Sequence, residues 1–385
     1  MHIREFFKSY RESGKFIFKI MLLVSIFVWA SGPIYAGNYL NSAHGNSNYG
    51  VKRTGISQYP RGHCAHCHEQ HASINGAEPV PINGAVGYLL FSPNYTSQTV
   101  NFCFDCHVQT GGYQEGGGII NRSYSYNFGG NTDSYDNDLK QAFSHTAPGS
   151  SHNLNDIKKI LGTTMYDANG HEWSLPKTLN PCDACHNPHI VQRNYPVSNA
   201  DGKLKTAVTR PSNPNQLWGD DEGERMNRYG DYQAPYWYGS DTDDPKFEPA
   251  GDEVQDGSNL PDFVRLCTDC HNGYNQIWSS RLGRYLLPIK WFSNNGDIHG
   301  VKRGFIKRPR PPYSYQQHYT LSCTDCHEPH GSSNIFLLRT SINGKSISVS
   351  NTDDESWRNF CYGACHNYKH NKRNCFECHH HNKKF

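Results

Sequence analysis

Cys182-Asp183-Ala184-Cys185-His186-Asn187-Pro188-His189 sets two thiols three residues apart, an imidazole directly after the second, and another imidazole three residues on. Its first five residues read C-x-x-C-H. The pattern recurs as Cys64-Cys67-His68, Cys103-Cys106-His107, Cys267-Cys270-His271, Cys323-Cys326-His327 and Cys375-Cys378-His379. A stretched copy, Cys361-Tyr362-Gly363-Ala364-Cys365-His366, carries one extra residue between its cysteines. Seven pairs consume all 14 cysteines, so no thiol remains for a disulfide, a nucleophile or a lipid anchor.

Two thiols at this spacing can each add to one vinyl group of a haem, and the following histidine then supplies an axial imidazole. Residues i, i+3 and i+4 lie on one side of a helical turn, so both sulfurs and the imidazole can face one porphyrin. Zinc ribbons also use C-x-x-C, but they need thiolates in fours and no histidine after every second cysteine. The expectation is seven covalent haems c.

Seven irons need a second axial ligand. Beyond the first 36 residues there are two methionines, Met165 and Met226, and neither accompanies a motif. Histidine is abundant, at 22 residues. His71, His189 and His330 each follow a motif histidine by three, and His370 follows His366 by four. Such a second histidine cannot reach the far side of the haem its neighbour holds, so it is expected to bind a different one. His318 and His370 each precede a motif by five residues, and His44 and His299 share an upstream x-His-Gly setting. His145 and His152 lie in a motif-free loop, and one of them is expected to serve the motif-three haem. The distal candidates are therefore His44, His71, His152, His189, His299, His318, His330 and His370, eight for seven positions. One is in excess or serves another subunit. His63, His66, His171, His380 and His381 read as non-ligands.

The amino terminus carries Arg4, Lys8, Arg11, Lys15 and Lys19, then an apolar run from Ile20 to Ala30 and a small-residue exit ending at Ala36. This reads as a secretory signal over 1–36, too short and wrongly flanked for a spanning helix. Residues 37–385 then form one heptahaem domain. Residues 190–266 are an acidic and aromatic insert, read as a solvated loop in preference to a calcium site. A hydrophobic fraction of 36%, mean hydropathy of −0.76, 35 Gly and 21 Pro leave too little apolar surface to offset ordering entropy without cofactor. The fold class expected is mostly irregular and α, a haem-threaded chain with short helices at the motifs and little strand. The signal holds five of the 37 basic and two of the 35 acidic residues, leaving 32 against 33. Fourteen haem propionates, offset by one positive charge at each of seven ferric centres, would make the oxidised protein about −8, which disfavours nucleic acid as a partner.

The stretches Cys182–His189 and Cys323-Thr324-Asp325-Cys326-His327-Glu328-Pro329-His330-Gly331 resemble the multihaem c-type cytochromes of metal-reducing, Geobacter-like bacteria, and Gly62–Ser73 is similar. The resemblance implies bis-histidine, low-potential haems in parallel and perpendicular pairs. It also implies haem attachment outside the cytoplasm and electron transfer in the periplasm or at the outer cell surface. Partners would be redox proteins or an extracellular acceptor, and the chain could polymerise into a filament. The competing reading is a multihaem reductase of a small oxidised anion, which needs one open iron. No motif here replaces its histidine with the lysine that marks such an iron in nitrite reductases.

Overall fold

A computed structural model of the protein describes residues 39–68, 97–117, 138–177, 179–191, 208–217, 236–237, 264–289, 319–320, 323–342, 345–350 and 353–366. The expected signal over 1–36, the seventh motif (Cys375, Cys378, His379), the acidic runs of the insert, and His71, His299, His318, His370, His380 and His381 lie outside them. The chain divides at Asn38, and every described residue belongs to the second unit, Tyr39–Phe385.

The six motifs among the described residues fold as short helical turns, and local chemistry explains where they begin. Asn101 opens the 3-10 turn Phe102–Asp105 by accepting from the Cys103 N–H, and Asn180 opens Pro181–Ala184 by accepting from the Cys182 N–H. Asparagine is a favoured N-cap, and Pro181 occupies a first-turn position where no N–H is needed. His63 plays the same part for Cys64–His66, its Nδ1 accepting from Ala65 N–H. Motifs four and five begin within or open the helices Val264–Thr268 and Cys323–Cys326.

One contact recurs in all six described motifs. The histidine N–H donates to the first cysteine's carbonyl at 2.9–3.0 Å in His68, His107, His186, His271 and His327, a four-residue step. In the stretched motif the same bond forms over five residues, His366 N–H to Cys361 at 2.9 Å, inside the π-helix Asn359–Cys365. The inserted residue is absorbed as a wider turn. First cysteine and histidine keep the same relation.

Among the described residues strand structure is slight: six two-stranded antiparallel pairings, most of two residues a side. Ser150–Ser151 pairs with Gly331–Ser332, tying the segment before His152 to the one after His330. Within the insert, Thr209–Arg210 pairs with Asn213–Leu217. This hairpin packs on motifs three and four: Thr209 N–H donates to Cys185 (2.8 Å), and Arg210 bridges to Asp269 (2.8 Å). This part of the insert is therefore ordered against the motifs, and Val208 and Thr209 are buried.

Apolar packing comes in small pieces. Phe104, Phe143 and Leu154 form one cluster and Leu161, Leu175 and Ala184 another. A larger one gathers Ile335, Leu338, Ile342, Ile347, Val349 and Ala364 near the C-terminus. Among the described residues, no helix is long and apolar enough to cross a membrane.

Motifs two and three are clamped by a buried reciprocal amide pair. Asn101 Nδ2 donates to Asn180 Oδ1 (3.1 Å) and Asn180 Nδ2 to Asn101 Oδ1 (3.0 Å), while each also caps its own turn. Asn180→Ala removes a cap and strands a buried amide, costing about 2–4 kcal/mol of holoprotein stability. Denaturant unfolding of single and double Ala variants checks this. The double variant is expected to cost clearly less than the sum, because the second deletion removes an already unpaired group.

Candidate haem-binding centres

Two imidazoles on opposite sides of one metal have ring centres about 6 Å apart, from metal–nitrogen bonds of about 2.0 Å and ~1.1 Å from each nitrogen to its ring centre. Four histidine pairs stand at that separation: His68 and His189 at 5.9 Å, His107 and His44 at 6.1 Å, His186 and His330 at 6.1 Å, and His271 and His152 at 6.2 Å. The distance alone also fits an aromatic contact. What distinguishes these four is composition: each joins a motif histidine to a non-motif histidine.

Ring hydrogen bonds decide which nitrogen faces the gap. A carbonyl can only accept, so the Nδ1 of His44, 2.9 Å from the Pro188 oxygen, carries the proton and its Nε2 keeps a free lone pair. His152 Nδ1 donates to the Pro329 oxygen in the same way. Such a bond fixes the tautomer and orientation of a metal-binding imidazole and raises its basicity. On the motif side, His327 Nδ1 donates to the Phe336 oxygen at 2.9 Å. That carbonyl is aimed by two successive left-handed residues, Phe336 (φ 53°) and Leu337 (φ 59°), which cost about 1–3 kcal/mol each.

Desolvation favours the uncharged form of the four distal imidazoles. It lowers the pKa of His44, His152 and His189, and pushes His330 down to about 3, with His186, His152 and His107 nearby adding to the effect. The neutral ring is the metal-binding form. Burial likewise pushes the Cys67 and Cys185 thiols up to about 12. These sulfurs stand in for thioethers in a haem-loaded chain, and a thioether has no proton to lose. Cys103 is raised well above an ordinary thiol, first by a hydrogen bond with Cys182 and then by burial.

Acidic residues between the motif cysteines are placed individually. Arg53 bridges to Asp105 at 3.3 Å and covers the Tyr113 ring. Asp269, fully buried, accepts from Arg210, Ser212 N–H and Ser212 Oγ. Asp183 is pushed up to about 7 by burial.

The described candidates thus fall into place as follows. His189 and His330 each stand opposite a motif histidine other than their own neighbour. His152 faces motif four; motif three, the expected partner of the loop holding His145 and His152, faces His330 instead. His66 is buried with both ring nitrogens engaged, Nε2 donating to Pro60 and Nδ1 accepting from Arg53 N–H. His63 caps a turn, and His171 sits on the surface beside Asp167. The donor set fits haem c: thiols on a turn, their histidine, and an opposed imidazole from elsewhere in the chain. Among the described residues no cluster of three or more His, Cys, Asp or Glu side chains is arranged to hold a bare metal ion. No family profile, curated protein or solved structure matches this chain.

Replacing His44, His152, His189 or His330 singly by Ala is expected to open one iron, giving one high-spin haem per chain at unchanged haem content. His63→Ala, His66→Ala and His171→Ala should give none. Ring angles add a finer expectation. Crossed imidazoles leave two iron d orbitals nearly degenerate, whereas aligned ones split them. The 65° of His44 and His107 predicts a highly anisotropic low-spin EPR signal lost in His44→Ala, and the 14° of His68 and His189 a rhombic one lost in His189→Ala.

Proposed function

We propose that the chain is a multihaem c-type cytochrome that carries electrons through seven covalent, bis-histidine haems outside the cytoplasm. The observation that carries this reading is the set of four opposed histidine pairs, each built from one motif and one non-motif imidazole. Haem would be held by Cys64, Cys67 and His68 with His189; by Cys103, Cys106 and His107 with His44; by Cys182, Cys185 and His186 with His330; and by Cys267, Cys270 and His271 with His152. Motifs five, six and seven would hold the remaining three. When bound, the group supplies a one-electron iron couple.

The chain's own residues do the rest. With haem bound, His44, His152, His189 and His330 would each supply an imidazole in place of a small-molecule ligand, so the reading assigns no substrate chemistry. Partial desolvation of the distal rings favours their neutral, ligating form. The Pro188 and Pro329 carbonyls fix ring orientation, which limits reorganisation when charge arrives. Asp105 and Asp269, each tied to an arginine, set fixed charge beside the second and fourth centres. Redox partners or an extracellular acceptor, and export through a cleaved signal, belong to the same proposal.

Pyridine haemochrome analysis of the exported protein should give seven haems c per chain. The dithionite-reduced protein should not bind carbon monoxide, because every iron is six-coordinate. Stoichiometric carbon monoxide binding would replace this reading with one in which an open iron acts on a small oxidised anion.

A further inference from the structure

His186-Asn187-Pro188-His189 serves three centres at once. His186 faces His330, His189 faces His68, and the Pro188 carbonyl orients His44, which faces His107. His327-Glu328-Pro329-His330 repeats the arrangement. His330 faces His186, the Pro329 carbonyl orients His152, which faces His271, and His327 belongs to motif five. The flanking backbone repeats as well. Ala43, just before His44, donates to Val191 just past the first tetrapeptide (2.7 Å). Ser151, just before His152, is the antiparallel partner of Gly331 just past the second.

We propose, resting on the haem reading, that each His-x-Pro-His tetrapeptide is a node organising three haems, those of motifs one, two and three and those of motifs three, four and five. The motif-three haem takes one axial ligand from each node. It is therefore the junction through which electrons pass between the haems of motifs one and two and those of motifs four and five.

Covalent geometry enforces the closeness within a node. Three residues span at most about 11 Å, so haems bound by the two histidines of one tetrapeptide are immediate neighbours. The cysteines run in the same order. Cys67 lies within electrostatic reach of Cys106, Cys103 of Cys182, and Cys185 of Cys270. Each link joins consecutive motifs, and the Asn101–Asn180 amide pair reinforces the middle one. Motif three is the member that links both ways to a neighbour and also sits in both tetrapeptide nodes.

The test uses the full-length exported protein and three double variants, each opening two irons: His189→Gly/His330→Gly (motifs one and three), His330→Gly/His152→Gly (three and four) and His189→Gly/His152→Gly (one and four). Imidazole supplied during growth fills the vacated positions and is removed before measurement. Pulsed EPR then reads the dipolar coupling between the two high-spin irons. The account expects the first two couplings to exceed the third severalfold. A third coupling equal to or stronger than either of the others overturns the junction while leaving the haem reading intact. Failure of the single variants to produce any high-spin haem would instead overturn the haem reading. Should a double variant not accumulate, relaxation rates in the single variants decide. The high-spin iron of His330→Gly, with neighbours on both sides, should relax faster than that of His189→Gly, and the reverse order overturns the proposal.

Discussion

The spacing between opposed imidazoles is the constraint on which the other features depend. Four gaps of 5.9–6.2 Å are held open by backbone that reaches each ring from a distant part of the chain. Each pair sets one motif imidazole against one non-motif imidazole at the separation that two ligands on opposite sides of one iron require. The small apolar clusters make sense on the same terms. A chain with 36% hydrophobic residues and 35 glycines cannot offset its ordering entropy by burying its own side chains. On the proposed reading, porphyrin faces supply the missing apolar area, and the two-residue strand pairs and short turns serve as brackets around them.

The attachment turns show how tightly the geometry is specified locally. In six motifs the histidine N–H returns to the first cysteine's carbonyl, whether the intervening turn is 3-10, α or π. The Cys361–His366 copy has one residue too many for the usual step, and its turn widens while the bond length stays the same. What is preserved is the relation between one sulfur and one imidazole, which is what attachment to a single porphyrin needs.

Much of the candidate site was legible in the sequence because it is local. Seven cysteine pairs followed by histidine mark their own turns, and scarce methionine beside plentiful histidine points to imidazole on both sides of each iron. The partnering was not legible. His44 and His107 are 63 residues apart, and His186 and His330 are 144 apart. Nothing in residue spacing distinguishes His152 from His145, or sends His152 to motif four in place of motif three. That choice rests on the Pro329 carbonyl and the pairing of Ser151 with Gly331, both contacts at long range. The insert divides in the same way. Its acidic runs fit a solvated loop by composition, but Thr209–Leu217 packs on two motifs through an arginine whose partner, Asp269, lies inside motif four.

The most direct test of the account is an experimental structure of the exported, haem-loaded protein. The account predicts an iron midway between the rings of each pair: His68 and His189, His107 and His44, His186 and His330, and His271 and His152. An iron bound by a different distal residue at any of these four motifs, or a pair with no metal between its rings, would contradict it.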